Sequence, residues 1–149
     1  MSTKLEKRLQ VLQADAHAFY LKFHNYHWGV KGINFSFVHK YTEAAYEKMG
    51  TLFDDVAERL LQLGGKALVT ASDLDKATKA PKTTESCFTV DQVITALLAD
   101  YEYLLKEFRE LNKAAEEAGD IPTANMAQDA IADYEKETWQ LRSMVARAC

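Results

Sequence analysis

Only two cysteines occur in 149 residues, Cys87 and Cys149, and neither belongs to a CxxC or Cys/His step. A disulfide framework and a zinc knuckle are therefore excluded, and a reducing cytoplasm is the expected setting. Proline is as scarce, at 2, and glycine numbers 6, so few positions can break a helix. No apolar run reaches signal-peptide or membrane-spanning length. The opening MSTKLEKRLQ enters a charged amphipathic pattern at once, so no membrane partner is expected. The net charge of -4 supplies no overall attraction for nucleic acid or an anionic surface. Also absent are HExxH, the zinc-protease signature, and Glu-x-x-His, the step on which di-iron carboxylate bundles with a site inside one subunit depend.

What remains is rich in helix formers, with 48% hydrophobic and 27% charged residues, the balance of one globular all-α domain over 1–149. Leu5, Leu9, Leu12, Ala16, Phe19, Phe23, Tyr26 and Val30 recur at alternating steps of four and three, the stripe of a bundle helix that stops at Gly29 to Gly32. A second long helix opens near Asn34 or Ser36, carries Tyr46, Phe53, Val56, Leu60 and Leu63 inward, and ends at Gly64-Gly65. Residues 66 to 87 form a crossing connection with a short helix around Ser72 to Lys79. Thr89-Val90-Asp91-Gln92 reads as a capping box for a third helix with Val93, Leu97, Tyr101, Leu104, Phe108 and Leu111 inside. Asp120 and Pro122 start a fourth, with Ala127, Ile131, Tyr134, Leu141 and Val145 inside. A short turn, a long crossover and another short turn specify a ferritin-like four-helix bundle, with a short helix in the connection between the second and third long helices.

The chemistry sits on the first two helices. His39, Glu43, Asp54 and Glu58 make two i, i+4 pairs, and at about 100° per residue all four share one face of the second helix. Residues 39 and 54 are nevertheless separated by roughly 22 Å along the axis, so one helix cannot bring both pairs to one ion. Two midpoints resolve this. The midpoint of 27 and 39 falls inside the turn, so an antiparallel hairpin sets His27 beside His39. The midpoints of 39 with 58 and of 43 with 54 coincide between Lys48 and Met49. A second copy of the helix, packed antiparallel across a two-fold axis there, would superpose the histidine end of one chain on the acidic end of the other. Each pair taken alone is more commonly a solvated face, and a lone His27 more commonly a hydrogen-bonded core residue. The coincidence of the midpoints favours a metal site, with imidazole plus carboxylate suited to iron or zinc.

The run NYHWGVKGINF followed by VHKYTEAAYEKMGTLFDDVAERLLQLGG resembles the Dps family of ferritin-like mini-ferritins, nearest to the branch that includes neutrophil-activating proteins, because the N-terminal extension is short. The resemblance implies a ferroxidase site on His27, His39, Glu43, Asp54 and Glu58, with the last two from a neighbouring subunit. It further implies a hollow homododecamer that oxidises Fe(II), preferably with hydrogen peroxide, and stores ferric oxide. Many members have Asp where this chain has Glu43, whose bond to iron is then either direct or through water. DNA binding is the family's other activity, but Lys4, Lys7 and Arg8, offset by Glu6, do not favour it, although twelve copies can sum weak contacts.

Other residues carry weaker readings. Trp28 is a radical sink by family analogy and, more simply, a buried aromatic. His24 is packing or surface. Asp120, Asp129 and Asp133 can line a three-fold pore for Fe(II), although acids also favour helix N-termini and Asn125 stands where relatives often have an acid.

Overall fold

A computed structural model describes residues 1–146; Cys149 lies outside the described residues. The four long helices are α1 (Thr3–Gly29), α2 (Phe35–Gln62), α4 (Val90–Glu117) and α5 (Ile121–Val145), with the short α3 (Ala71–Ala77) in the crossover. Among the described residues no helix is long and apolar enough to cross a membrane.

The helix ends follow local chemistry. The Ser2 side chain accepts from the Leu5 amide at the start of α1, and Thr89 and Gln92 form the capping box of α4. Asp120 caps α5, with Pro122 in its first turn. Asn34 is the N-cap residue of α2 but supplies no side-chain bond.

The interior stripes of α1 and α4 are buried as their periodicity requires. On α2 the core line runs instead through Val38, Thr42, Ala45, Met49, Leu52, Val56 and Leu60, while Tyr46, Phe53 and Leu63 are only partly covered. Val145, expected inside, is exposed at the last residue of α5, where the neighbouring Met144 is the side chain that packs against the core.

The crossover is a strap tied to α1. The Gln13 amide pairs with both backbone groups of Leu68, at 2.8 Å each. Lys22 Nζ donates to the Pro81 carbonyl and Asn25 to that of Glu85. The strap ends in a parallel bridge, β1 (Val30–Lys31) with β2 (Phe88–Thr89). Gly29 is required at this seam: a Cβ there would stand 2.5 Å from the Ser86 carbonyl oxygen, a backbone atom that cannot yield cheaply. Gly29→Ala is therefore expected to break the bridge, and hydrogen exchange of the 30–31 and 88–89 amides should accelerate at least tenfold. Unchanged exchange would show that the seam can shift.

Candidate metal centre

The α1–α2 hairpin delivers His27 and His39 to one spot, with ring centroids 3.6 Å apart and planes within 14°. Each ring donates Nδ1–H to the other residue's carbonyl: His27 to His39 at 2.6 Å, and His39 to His27 at 2.9 Å. A carbonyl can only accept, so each ring carries a proton on Nδ1, and in the neutral imidazole Nε2 is then the nitrogen with the free lone pair. That is the tautomer a metal-ligating histidine uses, with a backbone carbonyl holding the ring in place through the other nitrogen. His27 is buried, and its Nδ1 also lies 3.3 Å from the Thr42 hydroxyl oxygen, whose own proton goes to the Val38 carbonyl at 2.8 Å.

Rings close around the pair. Phe35 stacks on His39 at 4.9 Å. Tyr46 presents its edge to His27 at 5.3 Å, stacks on His24 at 3.7 Å, and donates to Glu43 Oε1 at 3.4 Å. Burial, then the charges of Glu43 and Glu47, push the Tyr46 phenol above its ordinary range, so it remains a donor near neutral pH. His24 thus packs as part of this ring cluster. Trp28 is not a buried aromatic: it stands 63% exposed in the single chain, on the side of α1 turned away from the core.

The acids lie at the other end of α2. Asp54, Asp55 and Glu58 are exposed and can place ligand oxygens within 4.8 Å of one another, so Asp55 joins a pair that spacing alone had defined. Glu43 is exposed and separate from them. One chain thus assembles two histidines and, roughly 22 Å away along α2, two of the expected acids. Neither half supplies a complete ligand set. At the height between them, Lys48 turns to α5 and binds Asp133 and Glu137, while Met49 is fully buried. The residues of that height on the ligand face are Glu47 and Gly50, the latter beneath the Tyr20 ring.

The expected pore acids are partly committed elsewhere. Asp120 caps α5 and pairs with Arg59 at 2.7 Å. Burial pushes its carboxyl up, but the Thr123 hydroxyl and amide and the Arg59 charge outweigh this and hold it below the usual carboxylate range. Asp133 is bound by Lys48, and Asp129 stays exposed.

Comparison with known proteins places these features in a family. Residues 6–148 match the model of the ferritin-like domain. The chain is 44% identical to the DNA protection during starvation protein of Helicobacter pylori over 138 residues, 93% of this chain and 96% of that one. In structure it is similar to Helicobacter cinaedi CAIP, at 44% identity and a TM-score of 0.93, covering 95% of this chain and 99% of that one. It is also similar to a Dps protein of Vibrio cholerae O1, described as a member of a broad superfamily of ferritin-like diiron-carboxylate proteins. There the identity is 29% and the TM-score 0.90, over 96% and 89% of the two chains.

Proposed function

Because the chain belongs to the ferritin-like family, in its Dps group, we propose that it is an iron-storing ferroxidase whose sites are shared between subunits. The locked histidine pair carries the reading: two Nε2 lone pairs are held together at the end of the helix face that bears Glu43, Asp54 and Glu58. Across a two-fold axis near residue 48 or 49 of α2, each site takes His27, His39 and Glu43 from one chain, with Asp54 and Glu58 from its neighbour. Fe(II) is substrate and cargo. Few nitrogens with several carboxylates leave it partly hydrated, with positions open to an oxidant, and the carboxylates stabilise the ferric product. Two Fe(II) ions supply two electrons to one hydrogen peroxide, which with two protons leaves as two waters. Paired oxidation therefore limits hydroxyl-radical release, and the ferric oxide collects inside a hollow dodecamer in the cytoplasm.

Protection of DNA follows from removing Fe(II) and peroxide, without a requirement for contact. The basic residues near the N-terminus are partly engaged, Lys4 with Glu117 at 3.6 Å and Arg8 with Glu107 at 3.5 Å. A DNA-compacting shell in which metal is secondary is the alternative. The test is to size the native protein and mix it anaerobically with Fe(II) and peroxide. The expected particle is about 200 kDa, twelve chains of 16.8 kDa. It should oxidise Fe(II) faster with peroxide than with dioxygen and fail to retard DNA at physiological salt. A monomer with full oxidation, or DNA retardation without rapid oxidation, would overturn the reading.

A further inference from the structure

Exposed large apolar side chains stand at both ends of the ligand face. Trp28 is 63% exposed beside His27, Phe35 is 40% exposed and stacked on His39, and Leu61 is 61% exposed one turn beyond Glu58. Singly, exposed apolar residues need no explanation; these three flank the two halves of one site. On α2, Leu61 shares the angular position of Glu43, in the middle of the ligand face. Its position and that of Ser36 have the same midpoint as the 39–58 and 43–54 pairs. Ser36 adjoins Phe35, one turn before His39. On α1, Trp28 lies level with Val38 across the hairpin, and the counterpart of residue 38 about that midpoint is residue 59, half a turn from Leu61.

We propose that Leu61 of one copy closes against Trp28 and Phe35 of another, forming an apolar rim around the iron site. This rests on the shared-site reading and adds what seals that site. The rim covers side chains that a single chain leaves to solvent, keeps bulk water from the outer side of the histidine pair, and leaves the acids facing the metal. The occupant is a second copy, because the same two-fold relation that completes the ligand set brings Leu61 to this place.

The test uses the full chain with Cys87→Ser and Cys149→Ser, carrying Ser36→Cys and Leu61→Cys together, treated with a short bismaleimide. Within one α2 helix these positions are roughly 37 Å apart, beyond the reagent's reach. The double variant should give a covalent dimer on a denaturing gel, and each single variant should remain monomeric. A second readout is acrylamide quenching of Trp28 with Trp139→Phe, expected to be low in the native assembly and to rise at least twofold in Leu61→Ser. A double variant of native size and normal Fe(II) oxidation that gives no dimer would overturn the rim alone, as would a dimer formed equally by Leu61→Cys by itself. Loss of native-protein oxidation would instead remove the reading beneath it.

Discussion

Replacing His39 or Asp54 by alanine should leave the assembled shell intact and slow peroxide-dependent Fe(II) oxidation by at least about 100-fold. Losing even a partner that only supports a metal ligand costs about 10- to 100-fold. The fold should tolerate both changes. His39 is half-buried near the start of α2, and its removal frees only the His27 carbonyl. Asp54 is exposed among like charges, so its removal relieves repulsion with Asp55 and Glu58. Stopped-flow oxidation beside sedimentation reads both quantities, and normal kinetics in both variants would place the chemistry elsewhere.

Asp15→Ala should have the largest effect on stability. This fully buried carboxylate accepts from the Thr78 hydroxyl at 2.7 Å, the Lys79 amide at 2.8 Å, the Ala80 amide at 3.1 Å and the Tyr103 hydroxyl at 2.7 Å. Burial, then the bond to Asp15, pushes the Tyr103 phenol well above its ordinary range, so it stays a donor. Alanine would strand these donors where the crossover meets α1, at a cost on the order of 3–5 kcal/mol. Urea denaturation against the wild-type protein measures the loss, and hydrogen exchange should localise it to residues 78–80. A change below about 1 kcal/mol would show that water replaces the carboxylate without penalty.

Asp15 also shows what the sequence concealed. Helices were legible because their signals are local: the spacing of apolar residues, the Thr89–Gln92 box, Asp120 before Pro122. The polar ties of the crossover are not local, since Gln13 reaches Leu68 and Asp15 reaches Ala80. The available hint was Gln13 and Asp15 set among the apolar Leu12, Ala14 and Ala16. The two histidines could be brought together on paper because a tight turn fixes an antiparallel register. Their locked tautomers could not, since these depend on carbonyl positions that only the folded backbone supplies. Trp28 misled because its aromatic character suggested burial, whereas its helical position opposes the Leu12–Phe19–Phe23 stripe.

Mixing inactive subunits tests the shared site most directly. His39→Ala and Asp54→Ala chains are unfolded together in equal amounts and refolded, with wild-type refolding as the control. In a mixed pair one site carries both lesions, while the other combines an intact histidine from one chain with an intact acid from its neighbour. Random pairing makes about half the pairs mixed, each with one working site of two, so roughly a quarter of wild-type oxidation should return. No recovery, with wild-type refolding complete, would show that each chain holds its own site and would contradict the account.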